Sequence, residues 1–109
     1  MLLVDGKTIP TDKEGYLKNL DDWSEVVAEQ IALQDGINLT EQHWEVINLL
    51  RDFYQQFEIS PAMRVLVKTV GQQLGKEKGR SIYLMKLFPE SPAKFATKIA
   101  GLPKPVNCL

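Results

Sequence analysis

The sequence predicts an α+β, mostly helical protein, in which a small N-terminal β-hairpin packs on a compact helical bundle with helix-turn-helix-like elements and an extended C-terminal arm follows. Three observations support this. An Asp-Gly pair separates two short apolar runs near the start, five later segments repeat apolar residues every three or four positions, and two prolines bracket a lysine near the end. The 109 residues suffice for one compact hydrophobic core.

Residues 1–38 are predicted to form a small unit that contains the hairpin and one helix. Asp5 and Gly6 readily take the positive φ angles of a two-residue turn. A helix is then predicted from Asp21 or Asp22, with Gly36 as its stop, and it should cover the hairpin. Its apolar stripe comprises Trp23, Val26, Val27, Ile31 and Leu33.

Residues 39–101 are predicted to form an all-helical unit. Thr40, Ser60 and Ser91 are the expected N-caps, and Gly101 is the expected left-handed terminator. The helix after Thr40 has the widest apolar face, so we expect it to be central and packed on two sides. The predicted helices of this unit span residues 40–57, 61–74, 81–88 and 92–100.

Residues 102–109 are predicted to form an extended arm that carries the thiol. Pro103 and Pro105 fix φ and favour a polyproline-like path. The seven steps from Gly101 to Cys108 would then reach about 20 Å, which is enough to enter a pocket on another protein.

Cys108 is the only cysteine of the chain, and its neighbours in the sequence offer no group that would activate it. A catalytic pair would need the only histidine, His43, for which capping or a solvent-facing position is the better prediction. The residues therefore suggest a carrier thiol that takes a group from one active site and gives it up in another. A cysteine without function and a redox sensor that forms intermolecular disulfides remain the alternatives.

The two parts of the chain differ strongly in charge. Residues 1–60 hold twelve acidic and four basic side chains, whereas residues 61–109 hold nine basic and two acidic ones. A basic surface attracts phosphates or an acidic protein face. Candidate docking residues are Arg80, Lys94, Lys98 and Lys104, although each could also be an ordinary solvated side chain.

Several classes of protein are disfavoured by composition. One cysteine and one histidine provide neither an internal disulfide nor a zinc site, so we expect no metal and no small-molecule cofactor. No apolar run approaches the roughly 18 to 20 residues of a membrane span, and the start of the chain lacks signal-peptide features. The expected location is the cytoplasm, with no membrane partner.

Four stretches resemble the TusE branch of the DsrC/TusE sulfur-relay family. They are VDGKTIPTDKEGYL, HWEVINLLRDFY, SPAMRVLVK and FPESPAKFATKIAGLPKPVNCL, and the resemblance covers essentially the whole chain. It implies a small β-containing part followed by a helical part with a C-terminal arm. It also implies that Cys108 carries sulfur as a persulfide.

The resemblance further implies a sulfurtransferase that acts as a persulfide carrier in 2-thiolation of the tRNA wobble uridine. Sulfur would come from the TusD subunit of the TusBCD complex and pass to the tRNA 2-thiouridylase MnmA with its bound tRNA. Members of the DsrC branch have a second cysteine eleven positions before the last one, where this chain has Thr97. Threonine cannot form the intramolecular disulfide or trisulfide that two thiols allow, so this chain resembles the TusE branch more than the DsrC branch. A DsrC-like protein associated with sulfite reductase is the alternative within the family.

An alternative of another class is a helix-turn-helix regulator. The helices predicted at 40–57 and 61–74 are joined by a short turn, and the second would present Arg64, Lys68 and Gln72 to DNA. The net charge of −1 for the whole chain disfavours strong phosphate binding.

Overall fold

The computed structural model describes residues 1–105, so the predicted carrier thiol of Cys108 lies outside the described residues. Within 1–105 the chain forms a two-stranded antiparallel sheet and five α-helices. A short 3-10 helix lies between the second strand and the first α-helix. The strands are β1 (Leu2–Val4) and β2 (Lys7–Ile9), and the 3-10 helix is Leu20–Asp22. The helices are α1 (Glu25–Gln34), α2 (Glu41–Phe57), α3 (Met63–Leu74), α4 (Ser81–Leu87) and α5 (Pro92–Ile99). The predicted fold class is confirmed.

The hairpin forms at the predicted residues. Asp5 and Gly6 have φ angles of 50° and 79°, as the two-residue turn requires. Leu2 and Val4 alternate with Leu3, and only the first two are buried. A two-stranded ribbon is marginal alone, and here β1 packs against α1, as predicted.

The first helix begins later than predicted. Asn19 caps the 3-10 turn, and α1 starts only after Ser24, whose Oγ accepts the Val27 N–H at 3.2 Å. Trp23 lies between the two with extended backbone, and its indole reaches α5 instead of continuing a helical stripe. The predicted start at Asp21 or Asp22 was wrong for this reason. Two residues of the predicted stripe, Val26 and Leu33, are exposed.

The third helix also begins later than Ser60 and Pro61 indicated. The N-cap of α3 is Ala62, and the Ser60 hydroxyl instead donates to the Pro103 carbonyl at 2.6 Å. A side chain that was expected to cap a helix is thus used to hold the C-terminal segment. Phe88, which directly follows α4, is buried, whereas Ile82 and Met85 on α4 are exposed.

The central helix is α5, not α2 as the sequence suggested. Helix α5 packs against each of the other four α-helices. Its small side chains at 93, 96 and 100 are all alanine and all buried, so neighbouring backbones can approach closely. The wide apolar face of α2 is only partly used, since Phe57 at its end is exposed. Side-chain size, and not the width of an apolar face, therefore decided which helix is central.

Buried side chains from Leu2 to Leu102 belong to one hydrophobic cluster, and the radius of gyration is 13.0 Å, the value typical of a compact chain of this length. The division into units at residues 38 and 101 stays a prediction. No helix among residues 1–105 is both long and apolar enough to cross a membrane.

Gly79 and Gly71 provide a test of this packing. A Cβ on Gly79 would overlap Gly71 Cα, whereas a Cβ on Gly71 would lie 3.5 Å from Gly79 Cα, an ordinary contact. We expect Gly79→Ala to lower the free energy of unfolding by about 1–3 kcal/mol. The matched Gly71→Ala should be neutral or stabilising by up to about 1 kcal/mol, because alanine is favoured inside a helix. Urea denaturation of the two variants measures both values, and equal effects would contradict the described contact.

Candidate functional site

The described part of the candidate site is the segment that leads to Cys108, residues 99–105, which we call the tail root. It begins at the last residue of α5, and several of its contacts come from residues that are far away in the sequence. Because the last carbonyls of a helix have no partner within the helix, the end of α5 needs donors from elsewhere. No local pattern in the sequence indicates which residues supply them.

Two side chains donate to consecutive carbonyls of the tail root. Trp23 Nε1 donates to Ile99 O at 2.9 Å, and Arg51 Nη1 donates to Ala100 O at 2.7 Å. The Arg51 guanidinium carbon lies 3.7 Å from the centroid of the Trp23 ring, in cation–π geometry. We call these two residues the Trp–Arg clamp. A cation at the carboxyl end of α5 is also favoured by the helix dipole.

Desolvation acts on the clamp as well. Partial burial lowers the pKa of the Arg51 guanidinium from its ordinary value, because the charged form loses water. Arginine stays protonated even so, and the clamp keeps its positive charge. Within residues 1–105 no carboxylate lies within ion-pair distance of this guanidinium, so its described partners are the Ala100 carbonyl and the Trp23 ring.

Gly101 turns the chain away from α5, as predicted. Its φ of 75° is left-handed, and the Leu102 N–H donates back to Thr97 O at 3.1 Å. A Cβ here would overlap the Trp23 indole, whose Cγ would be only 2.6 Å away. Glycine is therefore required twice, by the backbone conformation and by the close approach of Trp23.

The first residues of the predicted arm lie on the body of the protein. Leu102 is 4% exposed and belongs to the hydrophobic core, and Pro105 is buried too. Pro103 accepts the Ser60 hydroxyl through its carbonyl, and Lys104 Nζ lies 2.9 Å from Glu14 Oε1. The expected projection from Gly101 was therefore wrong for residues 102–105, while residues 106–109 lie outside the described part.

Some of the opposite charges of the two parts of the chain form ion pairs with each other. The described ion pairs are Lys78–Glu45 at 2.7 Å, Lys98–Asp35 at 2.9 Å and Lys104–Glu14 at 2.9 Å. Each joins a base of residues 61–109 to an acid of residues 1–60. Three of the nine basic side chains in residues 61–109 are therefore paired with acids of residues 1–60 in the described structure.

The four candidate docking residues differ in exposure. Lys94 and Lys98 were expected to face water, but Lys98 is 12% exposed at its side chain, stacks over Gly15 and pairs with Asp35. Lys94 is half-buried, and Arg80 is exposed before α4. Lys98 and Lys104 meet at the loop around Glu14, because Lys98 Nζ also donates to the Glu14 carbonyl at 3.4 Å. No described contact joins Arg80 to the other three.

A groove of about 830 Å³ opens beside the tail root, with Trp23, Arg51, Gly101 and Leu102 in its wall. Its rim carries four carboxylates, those of Asp21, Glu25, Asp52 and Glu58. The groove next to the tail root is therefore lined by acidic side chains around the half-buried Arg51 guanidinium, and it is not uniformly basic as the charge of residues 61–109 suggested.

His43 does not face solvent but does cap α2. Its Nδ1 accepts the Thr40 backbone N–H at 3.1 Å, and its Nε2 donates to Leu87 O at 2.7 Å. The ring is 7% exposed and meets Phe88 edge-to-face at 5.1 Å between centroids. Both nitrogens are occupied, so His43 is not available as a base for a thiol.

Thr97 is fully buried on α5, and its hydroxyl has no hydrogen-bond partner among the described residues. Residues 1–105 also contain no group of three or more potential metal ligands. Within residues 1–105 there is thus no candidate group of metal ligands and no available histidine base.

Sequence reasoning missed Trp23 and Arg51 as functional candidates, and it assigned Trp23 to a helical core stripe. The hydrogen bonds of the Trp–Arg clamp span 76 and 49 residues. A side chain that pairs with a backbone carbonyl leaves no spacing pattern in the sequence. The only available signal was Gly101, which marked where the chain would turn.

The fold and the site together define a class of protein. In this class a small helical body anchors the root of a C-terminal segment that carries a single thiol. The family described as DsrC like protein matches residues 3–109. The chain belongs to this DsrC-like family.

Named relatives support a sulfurtransferase role in the sense of a sulfur carrier. Sulfurtransferase TusE of Yersinia pestis is 60% identical over 109 residues, which is 100% of both chains. Sulfurtransferase TusE of Escherichia coli (strain K12) is 57% identical, again over 100% of both chains.

Solved structures share the fold. The NMR structure of Allochromatium vinosum DsrC has a TM-score of 0.90 and 56% identity, covering 99% of this chain and 96% of that one. The crystal structure of the oxidized gamma-subunit of dissimilatory sulfite reductase (DsrC) from Archaeoglobus fulgidus has a TM-score of 0.86 and 40% identity, covering 99% and 98%.

Burial of the tail root predicts a stability cost for shortening Leu102. Leu102→Ala should lower the free energy of unfolding by about 2–4 kcal/mol, because it removes buried methyl groups and leaves a cavity. Leu3→Ala is the matched control, since Leu3 is 67% exposed and should change stability by about 0.5 kcal/mol or less. Urea unfolding measures both, and a Leu102 variant as stable as the Leu3 variant would mean that the tail root is not packed.

Removal of the His43 ring is predicted to separate the start of α2 from the end of α4. His43→Ala should cost about 2–3 kcal/mol, because the partly buried Thr40 N–H and Leu87 carbonyl lose their partner and the buried ring no longer packs on Phe88. His43→Gln should cost about half as much, since glutamine still serves as the reach-back residue of a capping box. Urea denaturation measures the free energy of unfolding of both variants. An alanine variant whose free energy of unfolding is within about 0.5 kcal/mol of wild type would rule out the bridging role.

Proposed function

We propose that this protein carries sulfur as a persulfide on Cys108 in the relay that thiolates the wobble uridine of tRNA. The TusBCD complex is the proposed donor, through its TusD subunit, and MnmA with bound tRNA is the proposed acceptor. The proposed location of this relay is the cytoplasm.

One observation carries the proposal: the only cysteine of the chain is its penultimate residue, in a sequence 60% and 57% identical to proteins named Sulfurtransferase TusE. Identity at that level extends over the full length of both relatives. The described residues support a carrier because His43, the one histidine, is already bonded through both nitrogens.

The transfer chemistry is thiolate exchange at the outer sulfur of a persulfide. The Cys108 thiolate attacks the terminal sulfur of the donor R–S–SH, a new S–S bond forms, and the donor leaves as the thiolate R–S⁻. In the next step the acceptor takes that same outer sulfur, and Cys108 leaves as its thiolate. One sulfur atom moves in each step, with no net oxidant or reductant, so the carrier itself requires no cofactor.

Docking must bring the partner close to the body of the protein. Covalent geometry limits the three steps from Pro105 to Cys108 to roughly 11 Å between Cα atoms. A partner active site that receives the thiol therefore also meets surfaces near the tail root. Arg80, Lys94, Lys98 and Lys104 are the proposed docking residues, and the ion pairs of Lys98 and Lys104 would have to open for a direct contact.

Position 97 favours the relay over the sulfite-reductase alternative. The overall fold does not separate them, because the DsrC structures superpose at TM-scores of 0.90 and 0.86. Thr97 has no sulfur and cannot form an intramolecular disulfide or trisulfide with Cys108. We therefore assign single-thiol transfer to this chain.

The proposal predicts that Cys108→Ser abolishes both sulfur loading and tRNA thiolation. After incubation with sulfur-charged TusBCD, intact-protein mass analysis should show wild-type protein heavier by one sulfur atom and no such species for the variant. In cells that lack their own carrier, wild-type protein should restore 2-thiouridine at the wobble position, measured by nucleoside mass spectrometry, and the variant should not.

Thr97→Ser is the matched control, because it exchanges one hydroxyl side chain for another at a fully buried site and leaves Cys108 in place. It should load sulfur at the wild-type level. Wild-type protein that forms only intermolecular disulfides would indicate the redox sensor instead. A salt-sensitive, sequence-selective DNA complex that survives Cys108→Ser would indicate the helix-turn-helix regulator.

A further inference from the structure

We propose that Trp23 and Arg51 are positioning residues for sulfur transfer: the Trp–Arg clamp sets the direction in which the chain leaves α5 and thereby where the thiol can be presented. This inference rests on the proposed function of Cys108. Neither residue contacts a sulfur atom in the described structure, so their action is on the chain that bears the thiol.

The two anchors act on adjacent peptide units and support each other. Trp23 Nε1 holds Ile99 O at 2.9 Å, and Arg51 holds Ala100 O at 2.7 Å. Two consecutive carbonyls with fixed partners define the orientation of the backbone at the point where the helix ends. Because the guanidinium stacks on the indole at 3.7 Å, movement of either side chain disturbs both hydrogen bonds.

The orientation set at residues 99 and 100 is transmitted along the following residues. Gly101 turns the chain with a φ of 75°, and the Leu102 N–H returns to Thr97 O at 3.1 Å. Pro103 and Pro105 then have fixed φ angles, and each restricts the residue before it. The backbone from the clamp to residue 105 therefore has few torsions that are free to rotate. The Cα atoms of Pro105 and Cys108 can be at most about 11 Å apart.

The Ala100 carbonyl does not need Arg51 merely to have a hydrogen-bond partner. The groove beside the tail root is open, and a terminal helix carbonyl next to solvent can be satisfied by water. A charged donor that loses part of its hydration to reach Ala100 O offers something that water does not, namely a fixed direction.

Gly36 and Gly101 form a matched pair for the test. Both follow a helix, and their φ angles are 72° and 75°. In each case the N–H of the next residue donates back to the helix, from Ile37 to Ala32 O and from Leu102 to Thr97 O. Only the Gly101 site touches Trp23, since a Cβ on Gly36 would meet nothing within 4 Å. Alanine at either site has the same backbone strain, and only Gly101→Ala displaces the clamp.

The experiment compares two sulfur donors with the full-length chain. Sulfur-charged TusBCD tests presentation of the thiol to a protein active site, and glutathione persulfide tests simple access to the thiol. Single-turnover loading of Cys108 is followed by mass over a range of donor concentrations. The variants are Trp23→Phe, which removes only the indole donor and part of the ring, Arg51→Gln, Gly101→Ala and Gly36→Ala, each checked for folding by its urea midpoint.

For Trp23→Phe, Arg51→Gln and Gly101→Ala we expect the maximum loading rate from TusBCD to fall by about ten- to a hundredfold, because misplacement by about 1 Å costs that much. The half-saturating TusBCD concentration and the rate from glutathione persulfide should stay within about twofold of wild type. Gly36→Ala should match wild type with both donors. A residue that only stabilises the fold would not produce this split.

Folded Trp23→Phe and Arg51→Gln variants that load from TusBCD at the wild-type maximum rate would overturn the inference and leave the proposed function intact. Equal slowing with both donors would also overturn it, because that result indicates loss of thiol access and not of direction. Wild-type protein that is loaded by glutathione persulfide but not by TusBCD would instead refute the proposed donor, and the inference would fall with it.

Discussion

The carboxyl end of α5 is the constraint on which the rest of the structure depends. This helix is central, its last carbonyls have no helical partners, and the thiol-bearing segment starts there. Trp23 and Arg51 supply the missing donors from a 3-10 turn and from α2, and Gly101 leaves room for the indole. The backbone of Trp23 is extended just before the Ser24 cap of α1, and from this position its indole reaches Ile99 O.

Part of the charge difference between the two parts of the chain is used in tertiary contacts. Lysines of the second part pair with carboxylates of the first at three places, and two of these pairs fasten α5 and the tail root to residues 14 and 35. Surface ion pairs each contribute little to stability, about 0–1 kcal/mol, but they restrict where a segment can lie. A body that fixes the root of a short segment is consistent with a carrier whose partners provide the acid–base chemistry.

Local patterns predicted the elements well and their ends less well. The Asp5-Gly6 turn, the capping role of His43 and the stops at Gly36 and Gly101 follow from interactions within a few residues, and the structure confirms them. Ser60 and Trp23 were assigned wrongly, because their partners Pro103 and Ile99 lie 43 and 76 residues away. The apolar periodicity of α2 likewise predicted more burial than the structure shows. The neighbouring helices pack around α5 instead, because its small alanines permit close approach.

The sequence by itself determined the fold class, the hairpin turn and the caps that obey short-range rules. Through the resemblance of its last residues it also suggested the persulfide chemistry that we propose for Cys108. Local backbone preferences and covalent identity are properties of neighbouring residues, so they can be read without a fold. Only the tertiary structure decided that α5 is central, that Lys98 and Lys104 are paired and that residues 102–105 lie on the body. Those outcomes depend on which distant side chains meet an unpaired carbonyl or a carboxylate, and that is fixed only when the whole chain has packed.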